Sequence, residues 1–368
     1  MEAKMEASME RNTKSRLDSH PAATGSLFTD DLILEILSRL PARSVHRFKC
    51  VSVAWRDLIA DPANRKKLPQ TLAGFLYISY RSGHRHHFAS VSGGLAPFDP
   101  SLPYLQPNKD EGIAQVDACN GLLLYRRYTK NMVTLWTEGD FHFVVCNPAT
   151  GRWLELPPQP QPPAPTNIHS PTAGVNIYSS GTRAWSRRDS GMVEKATLLR
   201  SKCVFVGGML YLMGNLEDMN GEYVLVGVDM EGKVWKTIHV PYGSKFGTIG
   251  SSQGCLHYAV AYVDDNNETL VSEISLWCLK DNESKGLVLK HTTSIDKLMS
   301  MTGKTYRVVE IHPDCDTIFL VSNDGDTLAA YDMRHQKVGY ILNLENNTQQ
   351  FLPYVPMFSE LLADADEH

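Results

Sequence analysis

A short pattern recurs along most of this chain: a turn-forming polar residue stands six positions before a large aromatic or apolar residue. The clearest copies run from Asn147 to Trp153, from Ser179 to Trp185 and from Asp229 to Trp235. In each copy a glycine near the polar residue lets the chain turn, and the tryptophan begins the returning strand. We therefore expect each copy to be a β-hairpin, with its tryptophan packed in the core between sheets.

Looser copies of the pattern begin at Asp99, Asp281 and Asp332, so consecutive copies are separated by 48, 32, 50, 52 and 51 residues. Further hairpins are expected between them, at residues 119–125 and 204–212. The result is about four strands in each repeat of about 50 residues, which is the spacing of a propeller blade. The sequence predicts an all-β propeller of about six blades over residues 70–362, with seven blades as the alternative.

The residues before this region differ from it in composition and in periodicity. Residues 1–25 are polar and lack periodicity, which predicts a disordered leader. Helical periodicity follows over residues 27–62, where Thr29 and the two aspartates after it are typical of a helix N-terminus. The apolar residues of the first helix cover about 200° of its surface, more than one buried face requires. So small a helical module, below roughly 40 residues, is expected to need a docking partner.

Residues 27–41, followed by residues 44–52 and Trp55, resemble the F-box of plant proteins. Phe28 stands where that family commonly has proline. The resemblance implies that this all-α module binds a Skp-type adaptor, which joins a cullin and a RING subunit. It assigns nine residues to the adaptor-binding or core set: Leu32, Ile36, Leu37, Leu40, Pro41, Val45, Phe48, Val51 and Trp55.

The later part of the chain, including residues 145–157, 354–356 and 358–362, is similar to the kelch-like, F-box-associated β-propeller of plant proteins. Together the two resemblances imply the substrate-recognition subunit of an SCF-type E3 ubiquitin ligase. Such a subunit is a non-catalytic adaptor whose propeller binds an unknown target protein. Two alternatives stay open: an F-box interaction protein outside any ligase, and a lectin or hydrolase propeller with an attached F-box. The second would require a polar central pocket with converging carboxylates.

Composition excludes several other classes. The 36 basic and 41 acidic residues are spread along the chain, which argues against a nucleic-acid partner. The seven cysteines lie at least 23 positions apart, so we expect reduced thiols and neither a metal site nor a cofactor. The apolar runs are too short for a membrane span, which favours an intracellular location, cytoplasmic or nuclear. Residues 84–87 (His-Arg-His-His) are expected in an exposed loop, and the proline run 157–165 in a stiff surface connection.

Overall fold

The fold is that of a computed structural model, which describes residues 28–357 with gaps at 41, 66, 69–70, 80–84, 92, 130–140, 161–173, 190–195, 200–201, 217–220, 244, 264–270, 281–285 and 346–347. The predicted leader at residues 1–25 lies outside the described residues. Within them, helices occupy the first part of the chain and strands are the main element of the rest.

Four helices make up the N-terminal segment: α1 (Asp30–Ser38), α2 (Ala42–Phe48), α3 (Val53–Ala60) and α4 (Pro62–Arg65). As the sequence indicated, Thr29 caps the start of α1, and its Oγ1 accepts a hydrogen bond from the backbone N–H of Leu32 at 3.4 Å. The second predicted helical run is divided into α2 and α3. Ser52 adopts an extended backbone there and caps α3 by accepting from the backbone N–H of Trp55 at 3.1 Å.

One further α-helix, α5 (Asp296–Thr302), lies among the strands. In chain order the strands are β1 (Gly74–Ser79), β2 (Arg85–Ser90), β3 (Glu111–Cys119), β4 (Leu122–Thr129), β5 (Phe141–Asn147), β6 (Arg152–Glu155), β7 (Gly174–Ser179), β8 (Ala184–Asp189), β9 (Ala196–Leu198), β10 (Val204–Val206), β11 (Met209–Leu216), β12 (Tyr223–Asp229), β13 (Trp235–His239), β14 (Thr248–Ser252), β15 (Cys255–Val263), β16 (Val271–Leu279), β17 (Val288–Ser294), β18 (Tyr306–Ile311), β19 (Thr317–Ser322), β20 (Thr327–Asp332), β21 (Lys337–Asn343) and β22 (Thr348–Tyr354).

The strands form the blades of a propeller. Blade 1 is β2-β1-β22, blade 2 is β3 to β6, blade 3 is β10 to β13 with β9 also paired to β11, blade 4 is β14 to β17, and blade 5 is β18 to β21. Neighbouring blades contact one another through β22, β3, β10, β14 and β18, so these strands lie innermost. The predicted all-β propeller is confirmed.

The propeller closes through blade 1, because β22 pairs antiparallel with β1. A strand from near the C-terminus and a hairpin from the start of the propeller thus share one sheet. Next to this pairing, the rings of Phe75 in β1 and Phe319 in β19 meet edge to face, with centroids 4.7 Å apart. Both side chains are almost fully buried, so the closing blade packs on blade 5 as a continuous core.

The number of blades differs from the predicted six. The described residues form five sheets of at least three strands, whereas β7 and β8 pair only with each other. This hairpin packs on the chain that leaves blade 2, where Trp185 Nε1 donates to the carbonyl oxygen of Pro157 at 2.7 Å. The 32-residue interval in the repeat is therefore an added peripheral hairpin, since it is too short for four strands and their turns.

Most predicted hairpins are present. The turns at residues 119–125 and 204–212 join β3 to β4 and β10 to β11. In the first of them Asn120 and Gly121 have φ values of 48° and 79°, as a type I′ turn requires. The hairpin predicted at the looser copy that begins at Asp99 is wrong, because residues 103–105 form a short 3-10 helix. The copy at Asp281 begins outside the described residues.

The expectation that the three repeat tryptophans pack in the core is wrong for Trp153 and Trp185, and it holds in part for Trp235, which packs against a small core cluster that includes Val224 and Val226. Trp153 is 38% exposed, and Trp185 and Trp235 are only partly buried. They lie on β6, β8 and β13, which are outer strands or the peripheral hairpin, so only part of each ring is covered. Fully buried aromatic residues include tyrosines on the second strand of three blades, namely Tyr125, Tyr211 and Tyr258. Each follows a turn glycine by three or four positions, a signal that the sequence analysis did not use.

Part of the cluster at residues 84–87 lies in β2, where His86 and His87 are half-buried, so for these residues the expectation of an exposed loop is wrong. Residue 84 itself lies outside the described residues. The His86 ring meets the Tyr125 ring edge to face, with centroids 5.5 Å apart. Burial, and then the neighbouring His87, lower the pKa of His86 to about 4.

This buried histidine predicts a loss of stability in acid. An unfolded histidine takes up a proton near pH 6.5, but folded His86 does so only near its lowered pKa of about 4. Its contribution is therefore complete above about pH 7 and is lost as the pH falls through 6.5 toward 4, by about 2–3 kcal/mol. We expect His86→Phe to flatten the dependence of the free energy of unfolding on pH in this window. Denaturant titrations at pH 7.5, 6 and 4.5 measure it, with exposed His335→Gln as the control, and an equal slope in both variants would contradict the assignment.

Candidate functional sites: the helical face and the axial cavity

Two regions of the molecule combine exposure with chemistry that could serve binding. The first is an apolar surface on the N-terminal helices, which we call the helical face: Phe28, Leu32, Ile36, Val51 and Val53, each 45–64% exposed. The opposite side of the same helices holds the core, formed by the buried residues Ile33, Leu34, Leu37, Val45, Ile59 and Leu68. The wide apolar surface that the sequence indicated for α1 is thus divided between core and solvent.

The residues assigned by the F-box resemblance fall into three groups. Leu32, Ile36 and Val51 belong to the helical face. Leu37 and Val45 are buried in the helical core, so their side chains support the helices from within. A third group is half-buried against that core: Leu40, Phe48 and Trp55, of which the last two rings lie 5.3 Å apart. Pro41 lies outside the described residues, and adaptor binding by the whole set stays a prediction.

The second region lies on the propeller axis, beside β10 of blade 3. The backbone N–H of Leu199 donates to the carbonyl oxygen of Met213 on β11, and Val204 of β10 pairs with Tyr211 of the same strand. Lys202, two positions before β10, reaches blade 5, where its Nζ donates to both carboxylate oxygens of Glu310.

A second carboxylate approaches this part of blade 3 from blade 2. Asp117 on β3 accepts hydrogen bonds from the backbone N–H groups of Ala118 at 2.8 Å and Cys203 at 3.3 Å. Burial raises the pKa of Asp117, although these hydrogen bonds and the charge of Lys202 act against it. Burial and then Asp117 raise the pKa of Cys203 to about 12, so this thiol stays protonated. We call Asp117, Lys202 and Glu310 the axial cluster, and it links blades 2, 3 and 5.

A cavity of about 350 Å³ adjoins the axial cluster, between blades 3, 4 and 5 and the inner strand of blade 1. Its walls are largely apolar and include Met213, Phe246, Val309 and Phe351. Lys202 and Arg307 are the cations among its lining residues. Phe246 is 53% exposed, and its ring contacts Tyr223 edge to face at 5.4 Å between centroids.

Arg307 differs from Lys202 in its surroundings. Its guanidinium makes no hydrogen bond or ion pair with the residues that the structure describes, whereas Lys202 is bound to Glu310. Partial burial by the cavity walls lowers the pKa of Arg307, because the charged form loses hydration without gaining a protein anion. Among the described residues that line the cavity, Arg307 is therefore the cation whose charge is available to an incoming group.

The sequence analysis identified none of these axial residues. Lys202 and Glu310 are 108 positions apart, and neither belongs to a motif. Within the described ranges, no group of three or more histidine, cysteine, aspartate or glutamate residues could hold a metal ion. Across the same part of the chain, none of the helices is long and apolar enough to span a membrane.

Comparison with known families agrees with this division of the chain. Residues 26–67 match the F-box domain, and residues 163–357 match the β-propeller described as F-box protein At3g26010-like. The second match covers more than half of the chain. The molecule is thus an F-box protein that carries a propeller. More narrowly, it belongs to the family of F-box proteins with an At3g26010-like β-propeller.

F-box proteins of Arabidopsis thaliana are among the relatives of this chain. F-box protein At2g16450 is 24% identical over 322 residues, which cover 71% of this chain and 74% of the relative. F-box protein At1g47340 is 22% identical over 293 residues, and the matched region spans 69% of this chain and 61% of that relative's length.

Solved structures resemble the chain only distantly. A nidogen/laminin complex gives a TM-score of 0.37 at 8% identity, covering 78% of this chain and 98% of that chain. A luciferin-regenerating enzyme gives 0.34 at 10% identity, covering 61% and 73%. Neither resemblance says anything about what this chain does.

Proposed function

We propose that this protein is the substrate-recognition subunit of an SCF-type ubiquitin ligase, in which the helical segment binds a Skp-type adaptor and the propeller binds the target protein. Cullin and RING subunits would join through the adaptor, and this chain itself would carry out no chemistry. The observation that carries the proposal is the helical face, in a segment that matches the F-box domain. F-box domains generally bind Skp-type adaptors.

The energetics of the helical face favour a protein partner. Its five large apolar side chains are each about half exposed on a segment of only about 40 residues. Covering such side chains with a partner contributes a favourable free energy of about 25 cal/mol for each Å² of apolar surface removed from water. Exposed large apolar residues concentrated in one short segment favour an interaction site.

The hydrolase alternative is less well supported. Two carboxylates do converge near the axis, but Lys202 and the backbone N–H of Ile311 already bind Glu310. Asp117 is likewise occupied by two backbone donors. Carboxylates committed to fixed partners act as structural links, and we assign them that role.

We expect Ile36→Asp or Val51→Asp to abolish adaptor binding while leaving the fold intact. Both side chains are exposed in the free chain, so a carboxylate there costs little until an apolar partner covers it. The loss should be at least about thirtyfold in Kd, as for interface residues worth 2 kcal/mol or more. Co-purification and titration of the full chain with a Skp-type adaptor measure this loss.

Leu95→Asp is the matched control, because Leu95 is 98% exposed and lies in the propeller. It should bind the adaptor as the unaltered chain does. Retention of adaptor binding by both Ile36→Asp and Val51→Asp would contradict the proposal. An adaptor complex that fails to recruit a cullin would instead favour an F-box interaction protein outside any ligase.

A further inference from the structure

We propose that the axial cavity is a recognition site for a carboxylate next to an apolar side chain, as found in an acidic segment of a target protein. The inference rests on the proposed function, because it names the class of target feature that the propeller would bind. It goes beyond that function by placing the site at Arg307 and the apolar walls beside it.

The charge of the cavity selects an anion. Lys202 is satisfied by Glu310, a side chain that is only 3% exposed, so this pair contributes little net charge. Arg307 has no partner of that kind among the described residues, and the residue as a whole is exposed. A guanidinium matches the planar geometry of a carboxylate and can form two parallel hydrogen bonds with it. The partly dehydrated setting strengthens such a bond relative to one in bulk water.

The walls of the cavity select an apolar neighbour for that anion. Met213, Val309 and Phe351 supply apolar surface, and Phe351 is 9% exposed. Phe246 extends this surface outward, since half of it is exposed. An exposed aromatic side chain beside a cation is typical of a protein-binding hot spot. A purely ionic ligand would leave these walls uncovered, which is why we infer a mixed one.

The size of the cavity limits what can enter. About 350 Å³ is at the lower end of the range for ligand pockets, roughly 300–1,000 Å³. It suits one or two side chains of a peptide better than a folded surface. The carboxylate could come from an aspartate or glutamate side chain or from a chain terminus, and both sources present the same group to Arg307.

Three probes test the site on the full chain by ligand-observed NMR and titration. N-acetyl-phenylalanine carries a terminal carboxylate, N-acetyl-glutamyl-phenylalaninamide carries a side-chain carboxylate, and N-acetyl-phenylalaninamide carries neither. We expect at least one acidic probe to bind and the neutral one to bind at least about tenfold more weakly, as loss of a charge-assisted hydrogen bond implies. Which acidic probe binds identifies the source of the carboxylate.

Substitutions assign the binding to the cavity. Arg307→Gln should weaken the acidic probe by at least about tenfold, and Arg307→Lys should weaken it less, because the charge remains but the paired geometry is lost. Arg334→Gln is the matched control, since Arg334 is exposed in the turn between β20 and β21 of the same blade. It should bind the probe like the unaltered chain, and thermal melting verifies that each variant is folded.

Three results would overturn the inference: no binding of either acidic probe, equal binding of the neutral probe, or an unchanged affinity in Arg307→Gln. Adaptor binding by the same preparation is measured separately. A chain that binds the adaptor but no acidic probe refutes the cavity site alone. A chain that binds an acidic probe through Arg307 but no adaptor refutes the ligase proposal and leaves the cavity site in place.

Discussion

Replacing Lys202 by methionine is expected to destabilise the propeller by about 3–5 kcal/mol, because it leaves the Glu310 carboxylate buried without its cation. The remaining hydrogen bond, from the backbone N–H of Ile311 at 2.9 Å, satisfies only one carboxylate oxygen. Methionine fills a similar volume, so packing changes contribute little. Chemical denaturation followed by tryptophan fluorescence measures the loss.

Two comparisons separate the charge from other causes. The double variant with Lys202→Met and Glu310→Gln removes both charges and keeps an acceptor for Ile311, so it should recover at least half of the lost stability. Lys233→Met breaks an ion pair with Glu231 in which both side chains are 67% exposed, and it should cost less than about 1 kcal/mol. Equal losses of stability in Lys202→Met and in Lys233→Met would show that the buried Lys202–Glu310 pair stabilises the protein no more than an exposed ion pair does.

Ending the chain at residue 345 is expected to abolish cooperative unfolding of the propeller. The truncation removes β22, the inner strand of blade 1 and the pairing partner of β1. Without it, the backbone edge of β1 and buried side chains such as Phe75 and Leu76 meet water. An open ring also loses the contacts between β22 and its neighbours β3 and β18. Thermal melting by far-UV circular dichroism should show a broad, weak transition.

The control for this truncation ends at residue 357 and keeps every described contact of β22. That includes the hydrogen bond from Asn147 Nδ2 to the carbonyl oxygen of Met357 at 2.9 Å. We expect it to melt sharply, and adding a synthetic peptide of residues 346–357 to the shorter chain should restore part of the transition. A sharp transition in the chain ending at 345, without the peptide, would rule out closure through β22.

The two predictions concern two kinds of contact that hold the same propeller together. Strand β22 closes the ring because its backbone pairs with that of β1. The axial cluster instead joins blades 2, 3 and 5 through the side chains of Asp117, Lys202 and Glu310. The proposed ligand site uses both, because Phe351 of β22 and Lys202 of the cluster line the same cavity. A rigid ring is what would hold Arg307 and its apolar neighbours in place without a ligand.

Local features were predictable because neighbouring residues are enough to produce them. The N-cap at Thr29 and the turns at Asn120 and Gly121 depend on a few adjacent side chains and backbone angles. The same holds for the hairpin that begins at Asn147, whose turn joins β5 to β6. The F-box motif and the repeat spacing of about 50 residues follow from such local patterns, and with them the class of protein.

What the sequence alone determined was therefore the kind of element at each position and the architecture that those elements repeat. The tertiary structure decided that the hairpin at Ser179 is peripheral, that Trp153 lies at the rim, and that Ile36 faces solvent while Leu37 faces the core. It also decided that Lys202 meets Glu310, 108 positions further along the chain, and that Arg307 beside them forms no ion pair with the described residues. These outcomes depend on ring closure and on which surfaces meet, and such long-range contacts leave no periodic signal in the chain.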